Sequence, residues 1–165
     1  MNKSIENQFA KIFKEFAGSI FRYIYFKVSD YELAQDITEE TFIRYWEVLK
    51  KNKIDNHKAL LYLIAKGLIV DFYRKKKNNK KVSLENIDER LLGKFDTTEE
   101  AIAQIQELEA IYLKIKKLKK DYQDILFLHY VEDLTIKEIA FIQKKKENAI
   151  RVFLHRALKE LKKKI

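Results

Sequence analysis

The chain has no cysteine, no proline and three glycines among 165 residues. Without cysteine there is no disulfide, no thiolate metal site and no thiol nucleophile, which fits a reducing compartment. The lack of proline and the scarcity of glycine argue against a turn-rich β-sandwich and for long helices. Histidine is also sparse: His57, His129 and His155 are scattered, so the sequence offers no catalytic or metal-binding cluster. Long apolar runs are missing too. The stretch 59–65 is too short to span a bilayer and is cut by Lys66 and Asp71, and the N-terminal MNKSIENQFAK carries no apolar signal core. These absences lead to the expectation of a cytoplasmic protein with no cofactor, no metal, no membrane insertion and no enzymatic activity.

What the chain has is charge in blocks, with a formal net of +9. Residues 1–50 carry 7 basic and 8 acidic side chains, for −1, and residues 51–81 carry 10 and 2, for +8. Residues 82–113 carry 2 and 8, for −6, and residues 114–165 carry 15 and 7, for +8. Two cationic blocks separated by an acidic one suit two contacts with a polyanion, joined by a tether that avoids it.

Within the first block, the stretch 30–50 reads as a helix with two unlike faces. At 100° per residue Ala34, Ile37, Thr41, Tyr45 and Val48 share an arc that Phe42, Trp46 and Leu49 continue, a face suited to a core. The other arc holds Glu32, Asp36, Glu39, Glu40 and Glu47 around Ile43. Like charges at this spacing repel. An apolar residue ringed by one sign of charge suits docking to a basic partner, while a solvated face is the plainer alternative.

Periodicity assigns the rest to helices. The first spans 4–28, with Ile5, Phe9, Ile12, Phe13, Phe16, Ile20 and Ile24 inward, and Ser29 with Glu32 resembles a capping box for the helix that follows. A polar connection over 51–57 leads to a third helix over 57–77, capped by Asp55 or Asn56, with Leu61, Ile64, Ala65, Leu68 and Phe72 as its core face. A second face aligns Tyr62, Lys66, Ile69 and Tyr73 before a run of cations from Arg74, an arrangement that suits unpaired bases, whose faces stack on rings and whose phosphates need neutralising. Rim packing of the two tyrosines is the alternative. Residues 82–97 read as a linker. Thr97 and Glu100 then cap a helix with Ile105, Leu108, Tyr112 and Ile115 inward and Ile102 and Ile111 at its margins, followed by another over 121–132 with Tyr122, Ile125 and Leu128 inward.

The last forty residues are the most explicit. Thr135 and Glu138 form a capping box for a short helix to about Ile142, a turn follows over 143–146, and a helix resumes over 147–164 with Ile150, Leu154, Ala157, Leu158 and Leu161 inward. Short helix, four-residue turn and longer helix is a helix-turn-helix pattern. Asn148, Arg151, Val152, His155, Arg156 and Lys159 point outward, and such side chains can read base edges or hold phosphates. The expected fold class is all-α, with two small helical domains joined by a linker and the C-terminal one a helix-turn-helix.

Three segments together carry a family resemblance: Asp36-Ile37-Thr38-Glu39-Glu40-Thr41-Phe42-Ile43-Arg44-Tyr45-Trp46; Tyr62-Leu63-Ile64-Ala65-Lys66 through Asp71-Phe72-Tyr73-Arg74; and Tyr130-Val131-Glu132-Asp133-Leu134-Thr135 through Leu154-His155-Arg156-Ala157-Leu158. In order and spacing they resemble the extracytoplasmic-function sigma factors of the sigma-70 family, over nearly the whole chain. The resemblance implies a region 2 domain over 1–81, a linker over 82–97 and a region 4 domain over 98–165. It implies docking on the β′ clamp helices of core RNA polymerase through Asp36, Glu39, Glu40 and Ile43. It assigns minus-ten contacts to Lys53, Asn56, Tyr62, Lys66, Tyr73 and Arg74. Minus-thirty-five contacts fall to Lys144, Lys146, Asn148, Arg151, Val152, His155 and Arg156, with the β flap close to the same domain. The partners implied are core polymerase, promoter DNA and an anti-sigma factor.

Some positions depart from the family pattern. Glu39 stands where glutamine is common, Leu60, Leu63 and Gly67 where an aromatic, a basic residue and asparagine are frequent, and Gln143-Lys144-Lys145-Lys146 replaces an apolar residue, glycine, apolar residue and serine cap. A lysine at positive φ in that turn costs on the order of 1 kcal/mol, and a missing cap about another. A stand-alone helix-turn-helix regulator is the competing reading, and it needs neither the acidic face nor the tyrosine face.

Overall fold

A computed structural model of the chain describes residues 3–76, 107 and 109–164. Among the described residues every regular element is helical. The chain divides into two compact units, Met1–Asn86 and Ile87–Ile165.

The N-terminal unit is three mutually packed helices: α1 (Lys3–Val28), α2 (Tyr31–Lys51) and α3 (His57–Lys76). The second half of α1 is apolar nearly all round and is buried nearly all round, with Ile20, Phe21, Tyr23, Ile24, Tyr25, Phe26 and Val28 in the core. Its first half is not: Ile12 is buried, but Phe13, expected inside, is 46% exposed and stacks its edge on Phe42 at 4.9 Å. The helix ends where Ser29 turns to φ 55° and its N–H reaches the Tyr25 carbonyl at 2.8 Å. Ser29 is therefore the residue that closes α1, and the cap of α2 is the next one, Asp30, whose carboxylate accepts the Leu33 N–H at 3.1 Å. The capping box expected from Ser29 and Glu32 is corrected on this point by one residue.

The expected face of α2 is buried: Ala34, Ile37, Thr41, Phe42, Tyr45 and Leu49 are inside, with Trp46 and Val48 half-buried at the margin. Thr41 is fully buried without penalty because its hydroxyl donates to the Ile37 carbonyl at 2.7 Å. In α3 the core stripe is rotated from the one expected. Ala59, Leu61, Tyr62, Ala65 and Ile69 are buried, whereas Ile64, Leu68 and Phe72 are half-buried. This helix is apolar on two sides, so periodicity alone cannot choose which side meets α1 and α2; the Tyr23–Tyr62 edge-to-face contact at 5.4 Å selects the tyrosine side.

In the C-terminal unit a helical segment over 109–115 precedes α4 (Lys120–Leu126), a π-helical turn (Phe127–Val131), α5 (Ile136–Gln143) and α6 (Glu147–Lys163). The segment 121–132, expected as one regular helix, is thus interrupted. The Glu132 N–H reaches the Phe127 carbonyl at 3.0 Å and the Leu134 N–H reaches that of Leu128 at 3.0 Å, a widening that carries Leu134 into the core. Ile115 and Tyr122 sit inward and half-inward as expected, while Ile111 is 41% exposed. The cap at Thr97 and Glu100, the positions Ile102, Ile105 and Leu108, and the linker lie outside the described residues.

The capping box of α5 is present in both directions. Thr135 N–H donates to Glu138 at 2.9 Å and Glu138 N–H donates to the Thr135 hydroxyl at 3.0 Å. α5 ends at Lys144, with φ 56° and ψ 45° in the left-handed region, and α6 starts at Lys146 with no side-chain cap. Both costs read from the sequence are therefore present.

Two outcomes follow from this packing. Lys144→Gly combined with Lys146→Ser relieves the left-handed side chain and supplies the cap, so it stabilises the C-terminal unit by about 2 kcal/mol. Slower amide exchange at Ile139, Ala140, Ile150 and Leu154 is the readout; unchanged exchange would show the strain to be absent. The second concerns Tyr45, whose phenol burial pushes up to about 12. Because the folded value lies above the unfolded one near 10, this contribution is complete below pH 10 and is lost as pH rises toward 12. Trp46, the only tryptophan, reports unfolding of its own unit. The stability advantage of the native chain over Tyr45→Phe should shrink across pH 10–12, and a constant gap would refute the assignment.

Candidate docking face and nucleic-acid interfaces

The acidic arc of α2 faces solvent because the opposite arc is held in the core. Asp36 and Glu39 are exposed, Glu40 is half-exposed, and Ile43 is 57% exposed among them. The arc is less uniform than the sequence suggests, since Arg44 donates to Glu40 at 3.0 Å and Lys50 pairs with Glu47 at 3.1 Å. Both pairs are exposed and within one helix, where such contacts are worth a few tenths of a kcal/mol. A partner cation that desolvates the carboxylates can displace them.

The connection between α2 and α3 is fixed at both ends. The N–H of Asn52 reaches the Val48 carbonyl at 2.9 Å, closing α2. Asn56 accepts the Ala59 N–H at 2.9 Å and caps α3, so its side-chain oxygen is committed to the fold. Next to it, the ring of His57 bridges the Tyr45 hydroxyl at 2.8 Å and the Gln8 amide at 3.2 Å. Lys53 lies exposed on the loop so held, and Arg74 is exposed at the end of α3.

The tyrosine face is where the structure departs most from expectation. Tyr62 is fully buried and cannot stack on a base, Ile69 beside it is buried, and Lys66 is half-buried. Tyr73 is 39% exposed but anchors its hydroxyl on the Lys27 carbonyl, and its phenol is shifted up by burial. A phenol carries apolar area as well as a polar tip, and α1 supplies partners for both. Tyr62 is thus corrected from base platform to core residue, and Tyr73 is chiefly a tie between α3 and α1.

In the helix-turn-helix the outward set of α6 is exposed as expected, while Leu158 and Leu161 of the inward set are only half-buried. Ile150, Leu154 and Ala157 are buried, and Asn148, Arg151, Val152, His155, Arg156 and Lys159 are exposed on the other side of α6. Arg151 lies 3.6 Å from Glu147, a loose surface pair. Lys144 and Lys146 are exposed at the turn, whereas Lys145 holds its ammonium 5.5 Å from the Phe153 ring centre. Lys146, Asn148, Ala149, Val152, Phe153 and Arg156 line an open hollow of 430 Å³ on this outer face.

Sequence reasoning misses the partner of Gln143. Its amide donates to the carboxylate of Asp124, which is 95% removed from solvent, and ties the turn to α4. A polar residue in a turn position usually apolar, with an acid embedded in the inward run 124–128, is the signal that could reveal it. Ala149 and Phe153 are two further members of the outer face that helical periodicity does not single out. Among the described residues no group of His, Asp or Glu is placed to hold a metal ion.

Comparison with known proteins agrees with this geometry. The Sigma-70 region 2 family model matches residues 12–79 and the Sigma-70, region 4 model matches residues 108–161. The ECF RNA polymerase sigma factor BldN of Streptomyces coelicolor is 24% identical over 156 residues, covering 93% of this chain and 58% of its own length. The ECF RNA polymerase sigma factor SigM of Bacillus subtilis is 25% identical over 153 residues, covering 92% of this chain and 91% of its own. The chain thus spans less than two thirds of BldN but nearly all of SigM. Among solved structures, the sigma factor RpoE of Bartonella quintana, in complex with the anti-sigma factor NepR, superposes with a TM-score of 0.71 at 14% identity, covering 95% of this chain and 96% of that one. CnrH, in complex with the cytosolic domain of CnrY, gives 0.67 at 16% identity, covering 95% and 86%. At such identities the structural likeness speaks for the fold alone. With both regions matched in order, the chain belongs to the extracytoplasmic-function sigma factors of the sigma-70 family, the subunits that give RNA polymerase its promoter specificity.

Proposed function

We propose that this chain binds core RNA polymerase and directs it to a two-part promoter, with the work divided between its two units. Asp36, Glu39, Glu40 and Ile43 dock on the coiled-coil clamp of the β′ subunit. Lys53 and Arg74, with Lys66 partly accessible and Asn56 shaping the loop, hold the non-template strand of the minus-ten element. Lys144, Lys146, Asn148, Arg151, Val152, His155 and Arg156 meet the minus-thirty-five element in the major groove, and the β flap lies against the same domain. The boundaries 1–81, 82–97 and 98–165 belong to this proposal, as do a cytoplasmic location and the absence of any catalytic role. An anti-sigma partner is part of it as well, the kind of complex in which RpoE of Bartonella quintana was solved.

The observation that carries this reading is the exposure of Asp36, Glu39 and Ile43 on a helix whose opposite face is buried. Exposed Ile43 amid carboxylates leaves apolar area in water unless something covers it, and a stand-alone DNA-binding regulator has no use for a negative face. Charged rims of this kind raise the association rate with a basic partner and fix its register. The tyrosine correction leaves the minus-ten contact to cations rather than to stacked rings, which supports a strand held mainly through its phosphates.

Reconstituted transcription tests the function. Purified chain added to core enzyme should support initiation from a subset of a promoter library, and failure on every sequence would overturn the proposal. A sharper outcome concerns the docking face. Asp36→Lys with Glu40→Lys should lower affinity for core by about 100-fold or more, while unfolding shifts by no more than about 0.5 kcal/mol because both positions are at the surface. Unchanged core affinity would assign the carboxylates to solvent.

A further inference from the structure

The hollow on the outer face of α6 is lined by the apolar Ala149, Val152 and Phe153 together with the polar Lys146, Asn148 and Arg156. Ala149 is exposed and Val152 is 46% exposed, so this apolar area is left in water by the fold itself. Phe153 is also braced, by the Tyr122 ring at 5.0 Å and the Lys145 ammonium at 5.5 Å, so the hollow does not depend on a loose side chain.

The surroundings say what enters it. Lys144, Lys146, Arg151, Arg156 and Lys159 lie exposed along the same helix and the turn before it, a cationic frame complementary to a duplex backbone. Within the major groove each base edge presents hydrogen-bond donors and acceptors, and the one apolar projection that separates the four natural pairs is the C5 methyl group of thymine. An apolar hollow inside a cationic frame therefore has a single natural match on duplex DNA. Asn148 and Arg156 at the rim supply the side-chain types that pair with adenine and with guanine edges.

We propose that Ala149 and Val152 form a thymine-methyl pocket, making Val152 a specificity-determining residue for the minus-thirty-five element. The inference rests on the assignment of α6 to promoter DNA and adds which base feature it reads. It commits the recognised site to at least one thymine opposite the first two turns of α6. Ala149 and Val152 select that base, and Lys146 and the other lysines hold the phosphates without selecting.

The test uses the full chain with core polymerase and a duplex selected by that holoenzyme from a random library spanning the upstream element. Each thymine is replaced singly by deoxyuridine, which removes the methyl and leaves base pairing intact. For the native chain, one or two upstream positions should lose affinity by about 3- to 5-fold, the worth of one buried methyl, while substitutions elsewhere in the duplex have no effect. In Val152→Ala the thymine-to-deoxyuridine ratio at those positions should fall close to 1. In Arg156→Ala binding should weaken with that ratio retained. A flat deoxyuridine profile for the native chain, or a full ratio retained in Val152→Ala, overturns the pocket while leaving the sigma assignment standing. If no duplex can be selected at all, the assignment of α6 to promoter DNA falls and the pocket falls with it.

Discussion

Burial of one face of α2 is the constraint on which the N-terminal unit turns. Ala34, Ile37, Thr41 and Tyr45 are enclosed by α1 and α3, and a helix has a fixed angular relation between its residues. Once that arc is inside, Asp36, Glu39 and Ile43 have nowhere to go but outward. Rotating the helix to hide Ile43 would carry its neighbouring carboxylates toward the core, and burying an unpaired charge costs far more than one exposed isoleucine. The exposed acidic face is thus a consequence of the core, and the same packing fixes the start of α3 through the Tyr45–His57 hydrogen bond.

The C-terminal unit faces a different problem, since its turn is built from residues that do not favour it. Lys144 takes a left-handed conformation that glycine adopts without strain, and Lys146 begins α6 without capping it. Three features offset these costs. The Thr135–Glu138 box secures the start of α5, Gln143 binds the buried carboxylate of Asp124, and Lys145 settles over Phe153. All three lysines of the turn stay exposed, and Lys144 and Lys146 are the two that the proposed function sets against a duplex backbone. Stability at this turn is exchanged for cationic charge, a trade that makes sense only if the charge meets something anionic.

Helices with one apolar arc are legible from the order of their residues. In α2 and α6 every buried residue lies in or beside the arc that periodicity picks out, with Trp46, Val48, Leu158 and Leu161 half-buried at its margin. The short helix, turn and long helix of the C-terminal unit follow from the Thr135 cap and the break at 143–146 alone. Segments apolar on two sides are less legible. In α3 the apolar positions beside Leu61 and Ala65 lie on two flanks, Ile64–Leu68 and Tyr62–Ile69, and burial goes to the second, where Tyr62 packs on Tyr23 of α1, which no local pattern reveals. Ambiguity of one residue at the α1–α2 junction arises because Ser29 and Asp30 are both good caps, and only the backbone turn at Ser29 decides between them. The π turn leaves no local signal in the residues 127–131, and what it achieves, the burial of Leu134, shows only several residues later.

With Tyr62 buried and Tyr73 tied to α1, the minus-ten contact proposed above rests chiefly on the loop before α3. That loop is short and held at three places: Asn52 on Val48, Asn56 on Ala59, and His57 between Tyr45 and Gln8. A loop anchored so closely to the core presents Lys53 in a limited range of positions, which lowers the ordering entropy lost when a flexible strand is captured. Arg74 stands on α3, whose end is tied to α1 by the Tyr73 hydroxyl. Under the proposed function Tyr62 and Tyr73 act through the fold, Tyr62 from within the core and Tyr73 through its tie to the Lys27 carbonyl. They fix the helix on which the cations are carried, and the distance between the loop and the end of α3 is set by the core they help to fill.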